Sequence, residues 1–250
     1  MGSRVSAPRF FSDGALPRVF ATGNRIALTE NIVRHLHVLR MSIGDAITLF
    51  DGAGGEFSTS LVELGKRNAT VELTSFDPIE RESPLQVKLV QALATSDKMD
   101  FIVQKAVELG VTSIQPISTE RATLKLSGDR AEKRLAHWQA IVRAACEQCG
   151  RNRVPMVSDV MTLEAWLMLP AEGVRAMLHP EATAALQPAG DGAQPISLLI
   201  GPEGGFSPLE LALAAKHGVA PVRFGPRVLR TETAGLAAIA VLNARFGDLR

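Results

Sequence analysis

The stretch that decides the fold is Ile196-Ser-Leu-Leu-Ile-Gly-Pro-Glu-Gly-Gly-Phe-Ser-Pro-Leu-Glu210. Its first five residues are mostly apolar and show no alternation with polar ones, which is typical of a strand covered on both faces. A glycine loop, Gly201 to Gly205, comes next. Ser207 is then predicted to cap a helix that has Pro208 in its first turn and Glu210 as its capping-box partner. The stretch therefore predicts a strand that leads through a glycine loop into the start of a helix.

A second loop of the same kind follows one helix and one strand later, in Gly225-Pro-Arg-Val-Leu-Arg-Thr-Glu-Thr-Ala234. Val222 to Phe224 is predicted to end a short strand, and Thr231 is predicted to cap a helix from about Glu232 to Phe246. Most of the buried stripe of this helix is expected to consist of Leu236, Ile239, Ala240, Leu242 and Asn243. In open α/β sheets, ligands bind at the edge where the strands end. Both loops are therefore predicted to line one pocket.

Phosphate is a common ligand of glycine loops at helix starts, but this sequence argues against it. The first loop lacks the Gly-Lys-Ser/Thr ending of phosphate loops, and Glu203 would repel a phosphate. In addition, no Lys or Arg lies between residues 176 and 215. A ligand that carries both a cationic group and an adenine fits better, because backbone donors of the loop can form hydrogen bonds with the adenine. For one glycine loop alone, a tight connection without any ligand is an equally good interpretation.

Composition is typical of a globular protein that is not embedded in a membrane. The chain has 250 residues, of which 46% are hydrophobic, and this is enough to build one large domain or two ordinary ones. The longest apolar stretch, Leu236 to Leu242, is too short to span a bilayer. Met1 to Phe11 lacks the hydrophobic core of a signal peptide. We therefore expect a cytoplasmic protein.

The two cysteines, Cys146 and Cys149, form a CxxC pair near the end of a predicted helix. They share one helix face with the apolar residues Leu135, Trp138, Ile141, Val142 and Ala145. A metal site would need ligands from elsewhere, and a thioredoxin-like pair belongs at a helix start. Core packing is therefore favoured over redox or zinc chemistry, and no bound metal is expected.

The net charge of +1 hides an uneven distribution of basic residues. Residues 1–40 carry six Arg against two acids, and residues 84–154 carry eleven Lys and Arg against seven acids. Residues 41–83 are acidic, with three basic and eight acidic side chains. Local basic patches matter more for phosphate contact than the total charge does. The distribution fits RNA binding, and it equally fits ordinary solvated charge on a neutral protein.

The sequence pattern changes at a polar segment, residues 77–84, that contains two prolines and is predicted to be a linker. Residues 1–76 contain short predicted strands and one short helix, about Asn31 to Leu39, which close naturally into a small β-barrel. Residues 85–250 alternate strands with helices, which predicts a mostly parallel α/β sheet. The strands predicted in the first part are Arg18 to Phe20, Arg25 to Leu28, Ala46 to Asp51, Glu56 to Leu64 and Ala69 to Phe76.

The motifs IGPEGGFS, residues 200–207, and FGPRVLRTETA, residues 224–234, resemble those of the SPOUT class of methyltransferases. Specifically, they resemble the ribosomal RNA methyltransferases that modify N3 of a uridine in the small subunit. Further matches cover the whole chain, including the segments 35–40, 104–111 and 179–180. None of them departs from the family pattern in a way that indicates lost activity.

This resemblance implies a PUA-like RNA-binding β-barrel over residues 1–76, a linker over 77–84 and a SPOUT methyltransferase domain over 85–250. It also implies a deep trefoil knot in the C-terminal part, which periodicity does not reveal. The implied activity is transfer of a methyl group from S-adenosylmethionine to uridine N3 in 16S ribosomal RNA, within the assembled 30S subunit. The protein is expected to act as a homodimer in ribosomal RNA processing.

Backbone groups of the two loops, with apolar side chains beside them, are the predicted contacts of the cofactor. These residues are Leu178, Ile200, Gly201, Pro202, Glu203, Gly204, Gly205, Phe224, Gly225, Leu229, Arg230, Thr231, Thr233 and Ala234. Because the methyl group of a sulfonium is already electrophilic, the protein must mainly hold the attacking nitrogen in line and close to it.

Arg230 and Glu232 are the candidate catalytic residues. Loss of the proton from uridine N3 spreads negative charge onto the flanking carbonyl oxygens, and a guanidinium at Arg230 would stabilise that charge in the transition state. Glu232 is the candidate base or orienting carboxylate. Each residue also has a structural interpretation, as a loop clamp for Arg230 and as a first-turn helix acid for Glu232.

Basic residues in both parts of the chain are candidate RNA contacts. They are Arg4, Arg9, Arg18, Arg25, Lys98, Arg121 and Arg151. For Lys98, Arg121 and Arg151, surface ion pairing is the simpler explanation of each residue taken alone.

Two other functions are considered. The first is a non-catalytic RNA-binding protein with a vestigial cofactor pocket, which cofactor affinity would distinguish from the enzyme. The second is a nicotinamide-dependent oxidoreductase. It is disfavoured because no Gly-x-Gly-x-x-Gly follows the first strand of the α/β part, where the sequence is Ala92-Leu-Ala-Thr-Ser-Asp97.

Overall fold

The computed structural model describes residues 7–17, 21, 23–186 and 194–249. The chain forms two compact units, one of Met1–Glu82 with Cys146–Val154 and one of Ser83–Ala145 with Pro155–Arg250. Residues 77–82, which belong to the predicted linker, group with the N-terminal unit. The domain division into 1–76, 77–84 and 85–250 stays a prediction. Both glycine loops belong to the second unit.

A five-stranded mixed sheet forms the N-terminal unit, with strand order β1-β3-β4-β5-β2. The strands are β1 (Arg9–Phe11), β2 (Arg25–Ala27), β3 (Ala46–Phe50), β4 (Glu56–Leu64) and β5 (Ala69–Asp77). Strand β1 pairs with β3 in parallel, and the other neighbours are antiparallel. Helix α1 (Glu30–Val38) buries Ile32, Val33 and Leu36 in the core of this unit.

The predicted elements of the N-terminal unit agree with these bounds to within about one residue at each end, with two exceptions. The predicted strand Arg18 to Phe20 lies outside the described residues. Strand β1 was missed in the sequence, because three residues are too few to show an alternating pattern.

The second unit is an α/β structure with a seven-stranded sheet. Its strands are β6 (Val87–Ala92), β7 (Ser113–Ser118), β8 (Met156–Val157), β9 (Met161–Thr162), β10 (Val174–Leu178), β11 (Ile196–Ile200) and β12 (Ala220–Val222). Its helices are α2 (Ser96–Glu108), α3 (Asp129–Cys149), α4 (Leu163–Met168), α5 (Pro208–Lys216) and α6 (Thr231–Phe246), with the last turn of α3 grouped in the N-terminal unit. The order is β12-β10-β11-β6-β7-β8, and β9 also pairs with β7. Every pairing between these described strands is parallel, so the predicted fold class is confirmed.

Helices cover both faces of this sheet. Helices α4 and α5 pack on the face to which Val90 of β6 and Leu199 of β11 belong. Helix α6 lies on Leu89 and Ile200, which follow the opposite parity along the same strands and therefore belong to the other face. Helix α2 packs beside α6. This double covering explains why β11 is apolar without alternation.

The short strand that was predicted to end with Val222 to Phe224 is present as β12, but it ends at Val222, two residues before Phe224. Pro221 lies in the middle of this strand. The structure tolerates the proline because β12 is at the edge of the sheet, where one side of the strand needs no hydrogen-bond donors. The strand therefore leaves eight residues, 223–230, for the loop that precedes α6.

The buried stripe of α6 was predicted correctly at Ile239, Leu242 and Asn243, and it was wrong at Leu236 and Ala240, which are half-buried. Thr231, Gly235 and Ala238 complete the buried face. Helix α6 is apolar almost all round, so hydrophobicity did not identify the face that packs on the sheet. The helix lies close to the strands at Gly235, where a side chain would meet Leu89 and Ile200.

Cys146 is buried and Cys149 is half-buried, and both thiols are free. Burial raises the pKa of the Cys146 thiol to about 12. This thiol is therefore protonated and unreactive at neutral pH, in agreement with a packing role.

No helix in the described part of the chain is long and apolar enough to cross a membrane. The trefoil knot stays a prediction of the family resemblance.

Gly235 provides a test of the close packing of α6. A Cβ atom at this position would lie 3.1 Å from Leu89 Cδ1 and 3.2 Å from Ile200 Cγ1. We expect Gly235→Val to lower the free energy of unfolding by roughly 1–3 kcal/mol because it overpacks this contact. Gly235→Ala should be nearly neutral, because a gain of about 1 kcal/mol in helix propensity offsets the tighter contact.

Urea denaturation measures both effects. Ala244→Val, at an exposed position of the same helix, is the matched control and should change stability by less than Gly235→Val does. Equal denaturation midpoints for Gly235→Val and the unmodified protein would contradict the close packing.

Candidate active site

The site lies at the edge where four parallel strands of the second unit end. Strands β12, β10, β11 and β6 are consecutive in the sheet, so the segments that follow them leave from the same edge. These segments are residues 223–230 after β12, His179-Pro180 after β10, Gly201–Gly205 after β11, and the start of α2 after β6. The sheet topology thus brings together parts of the chain that are distant in sequence.

Two adjoining cavities occupy this edge, with volumes of about 520 Å³ and about 80 Å³. The larger is lined by Lys98, Arg121, Leu178, His179, Pro180, Ile200, Gly201, Pro202, Glu203, Gly204, Gly205, Phe206, Val228, Leu229, Arg230, Thr231 and Ala234. The smaller shares six of these residues, Leu178, His179, Pro180, Val228, Leu229 and Ala234. It adds residues 223–227 to the lining.

The structure brings together nearly all the residues predicted to bind the cofactor. Phe224 and Gly225 line only the smaller cavity, and Thr233, which is exposed in the first turn of α6, lines neither. Sequence reasoning missed His179 and Pro180 as lining residues. The rule that identified the glycine loops also applies to them, because they directly follow the end of β10.

The first glycine loop is fixed on the side of α5. The predicted capping box is confirmed, since the Ser207 side chain accepts from the Glu210 amide and the Glu210 carboxylate accepts from the Ser207 amide. The other carboxylate oxygen of Glu210 accepts from the Glu120 amide at 2.8 Å. The start of α5 is thereby tied to the segment that follows β7.

Arg121 fixes the same loop from the other side. Its Nη1 atom donates to the carbonyl oxygens of Gly204 at 3.2 Å and Phe206 at 3.4 Å. A Cβ atom at Gly204 would lie 3.1 Å from the Cβ of Arg121, so a glycine permits this close approach. Arg121, a predicted RNA contact, therefore acts in the structure as a clamp on the loop.

Thr231 joins the two loops. Its hydroxyl donates to the Gly201 carbonyl at 2.6 Å and accepts from Gln91 Nε2 at 3.0 Å. Thr231 is therefore not the helix cap that was predicted. It is the first residue of α6, and the N-cap is Arg230, whose side chain makes no capping hydrogen bond. The hydroxyl is engaged with the neighbouring strand ends and is not used to cap the helix.

Lys98, in the first turn of α2, forms a second link between the loops. Its Nζ lies 3.1 Å from Glu203 Oε1 in the first glycine loop and 3.4 Å from Glu232 Oε2 in the first turn of α6. The contact with Glu232 is an ion pair without the alignment of a hydrogen bond. Lys98 was predicted to contact RNA, and the structure places it between two carboxylates at the cavity.

The charges of this link are reflected in two pKa shifts. Burial alone would raise the pKa of Glu203, but hydrogen bonds from its own amide, from Lys98 and from the Thr95 amide lower it overall. The hydrogen bond with Glu203 is the largest cause that raises the pKa of Lys98. Both groups therefore stay ionised across the neutral range.

The two predicted catalytic residues lie in different surroundings. Arg230 is exposed at the rim of the larger cavity, and its guanidinium has no ion-pair or hydrogen-bond partner among the described residues. Glu232 lines neither cavity, and its side chain, 20% exposed, faces Lys98. Catalytic roles for both residues stay predictions.

The RNA contacts predicted in the N-terminal unit are mostly engaged within that unit. Arg9 pairs with Glu56 and donates to Asn152, and its guanidinium lies 4.9 Å from the centre of the Phe50 ring. Arg151 pairs with Glu82, and its side chain is only 6% exposed. Arg25 is exposed and lies 3.5 Å from Glu72. Arg4 and Arg18 lie outside the described residues.

Comparison with known proteins agrees with this arrangement. Residues 81–243 match the family model of an RNA methyltransferase domain, and residues 28–74 match that of an RNA methyltransferase PUA domain. A ribosomal RNA small subunit methyltransferase E from Buchnera aphidicola is 34% identical over 226 residues, which cover 90% of this chain and 92% of that protein.

Two solved structures are similar over almost the whole chain. One is a ribosomal RNA small subunit methyltransferase E from Neisseria gonorrhoeae bound to S-adenosylmethionine, with 41% identity and a TM-score of 0.88. The other, from Legionella pneumophila, was solved with the bound cofactor and has 36% identity and a TM-score of 0.91. Each alignment covers 98% of this chain and 100% of the other.

These matches confirm the resemblance that the two motifs indicated, as well as the PUA-like and SPOUT character of the fold. The chain belongs to the RNA methyltransferase family, and relatives of this chain in that family are named ribosomal RNA small subunit methyltransferase E.

The hydrogen bonds of Thr231 give a prediction about stability. Thr231→Val keeps the shape of the side chain but leaves Gln91 Nε2 and the Gly201 carbonyl without this partner. We expect the free energy of unfolding to fall by roughly 1–3 kcal/mol. Thr231→Ser retains the hydroxyl and should recover most of that loss. Equal stability of the Ser and Val variants in chemical denaturation would show that the hydroxyl contributes nothing.

The Lys98 link gives a prediction about pH. The pKa of Glu203 is lower in the folded chain than its ordinary value of 4.5, so its ionisation stabilises the fold above pH 4.5, and this contribution is lost as the pH falls through the lowered value. The pKa of Lys98 is raised above 10.5, so its charge stabilises the fold below pH 10.5 and this contribution is lost as the pH rises through the raised value.

We therefore expect Lys98→Met to lower the melting temperature at pH 7, with a difference from the unmodified protein that shrinks in acid below pH 4.5. Thermal melts between neutral and acidic pH measure this difference. Lys105→Met, which removes a pair with Glu108 inside α2, is the matched control and leaves the loop link intact. A loss that is independent of pH would argue against the ionic link.

Proposed function

We propose that this protein transfers a methyl group from S-adenosylmethionine to N3 of a uridine in small-subunit ribosomal RNA. The observation that carries the proposal is that both family motifs line one cavity of about 520 Å³ at the edge of a parallel sheet. The relative from Neisseria gonorrhoeae, 41% identical over almost the whole chain, is bound to the same cofactor.

The cavity suits this cofactor in size and chemistry. Its volume falls within the roughly 300–1,000 Å³ of small-molecule sites. Leu178, Ile200 and Leu229 offer apolar walls for an adenine. Glu203 and Lys98 lie side by side on the wall, and together they match the charges of a ligand that carries a sulfonium and an amino-acid end.

The proposed chemistry assigns separate tasks to the residues around the cavity. When bound, the cofactor supplies an electrophilic methyl group. The Arg230 side chain has no ion-pair or hydrogen-bond partner among the residues that the structure describes, so its guanidinium is available to stabilise the negative charge that develops on the uracil oxygens beside N3. Glu232 faces Lys98 and not the cavity, which supports the role of an orienting carboxylate over that of a base. The N3 proton would then pass to solvent water, and the methyl–sulfur bond would break as the bond to N3 forms.

The family resemblance also supports a homodimer that acts on the 30S subunit in the cytoplasm. The alternative, a non-catalytic RNA-binding protein, predicts that the cavity takes up no cofactor. No feature of the described site favours it.

Labelled S-adenosylmethionine and unmodified small ribosomal subunits test the proposal directly. We expect label in the small-subunit RNA at N3 of a single uridine, located by nucleoside analysis, and a parallel reaction with free RNA identifies the preferred substrate. Label on another atom would overturn the proposed position. Calorimetry that detects no cofactor binding would favour the non-catalytic alternative.

Arg230 provides a test of the catalytic role. Arg230→Ala should leave cofactor affinity unchanged and lower kcat by about 10²–10³-fold, the range for loss of one donor to a developing oxyanion. The helix start should survive, because the Arg230 side chain does not cap α6. Arg230→Lys, which keeps the charge, should retain part of the rate. Calorimetry checks that the Ala variant still binds the cofactor. Unchanged turnover in that variant would reject the catalytic role of Arg230.

A further inference from the structure

The loop before α6 carries an unusual concentration of positive charge. Residues 223–230 include Arg223, Arg227 and Arg230, and no acidic residue occurs anywhere between Glu210 and Glu232. All three arginines are exposed. Since like charges this close in sequence repel one another, the loop favours an anionic partner.

None of the three guanidinium groups has an ion-pair or hydrogen-bond partner within the part of the chain that the structure describes. Arg121 and Arg151 differ from them, because Arg121 donates to carbonyls of the glycine loop and Arg151 is paired inside the N-terminal unit. The donors of the three arginines in residues 223–230 are therefore left for an external ligand.

The backbone that carries Arg223 is held in place. Its amide donates to the Ala184 carbonyl at 2.7 Å, and its carbonyl accepts from the Leu186 amide at 3.2 Å. These bonds form a parallel bridge beside β12. A fixed backbone lowers the entropy cost of binding an anion through this side chain.

The three arginines line the two cavities. Arg223 and Arg227 line the smaller cavity, and Arg230 lines the larger one. Between them, Val228 lines both cavities and is 77% exposed. A nucleotide that enters the larger cavity would therefore meet an apolar contact for its base, with guanidinium groups beside it for its backbone.

We propose that Arg223 and Arg227 bind the phosphates of the substrate RNA next to the target nucleotide, while Arg230 faces the base. This inference rests on the proposed function, because it takes ribosomal RNA as the ligand. The fork of a guanidinium matches phosphate oxygens with two parallel hydrogen bonds. Phosphate contacts position an RNA on a protein without reading its sequence. The loop thus combines the cofactor wall with a docking surface for the RNA backbone.

The test compares Arg223→Ala, Arg227→Ala and the double variant with the unmodified protein, using unmodified small ribosomal subunits as the probe. We expect each single variant to bind the subunit roughly tenfold more weakly, because each loses a charge-assisted contact. Each phosphate contact with a single RNA strand contributes about 0.7 to the slope of log affinity against log salt concentration. The double variant loses two such contacts, so its slope should be smaller by about 1.4. KM for the subunit should rise, while kcat at saturation and the affinity for S-adenosylmethionine should stay unchanged.

Arg245→Ala is the matched control. Arg245 is also exposed, but it lies at the other end of α6, roughly 20 Å along the helix axis from Thr231. The Arg245→Ala variant loses one positive charge at a position remote from the cavities, so its affinity for the subunit and the salt dependence of that affinity should stay the same. If Arg245→Ala weakens binding of the subunit as much as Arg227→Ala does, the loss of affinity depends only on the net charge of the protein, and the proposal is overturned.

Two further outcomes would overturn the proposal. The first is a double variant with unchanged affinity and salt slope. The second is a loss of dimer in sedimentation that accounts for the whole loss of affinity, which would assign the arginines to contacts between copies of the chain. Failure of the proposed function gives a different result. If the unmodified protein transfers no methyl group but still binds the subunit in a salt-dependent way through Arg223 and Arg227, the proposed reaction is rejected and the docking surface is retained.

Discussion

The hydrogen bond from the Thr231 hydroxyl to the Gly201 carbonyl is the contact on which the geometry of the site depends. The two glycine loops follow different strands, and glycine-rich backbone has much conformational freedom to lose. Gln91, at the end of a third strand, donates to the same hydroxyl. A single buried side chain thus fixes the start of α6 against two neighbouring strands.

Cations around the cavity divide into two groups with different tasks. Lys98 and Arg121 are held by groups of the protein itself, and they connect the first glycine loop to α6 and to the segment after β7. Arg223, Arg227 and Arg230 have no such partners among the described residues and face outward. The first group gives the loops their shape. The second group leaves positive potential where an anionic substrate would arrive.

Local signals in the sequence were sufficient for the first glycine loop, because strand β11, the capping box of Ser207 and the start of α5 all depend on neighbouring residues. Signals failed where distant contacts decide the outcome. The Thr231 hydroxyl was assigned to a cap because its partner Gly201 is 30 residues away. Arg9 was assigned to RNA because its partner Asn152 lies 143 residues away in sequence. Hydrogen bonds between residues this far apart produce no periodic pattern in the sequence.

The contact between Gln91 and Thr231 joins residues 140 positions apart, and β6 lies beside β11 in the sheet. Closing loops of this length costs chain entropy before the contacts compensate for it, so folds rich in such pairings form slowly. The cavity therefore exists only after the central strands and α6 have all assembled. A ligand that binds there stabilises only the finished molecule, by mass action, and cannot rescue a chain that has stopped halfway.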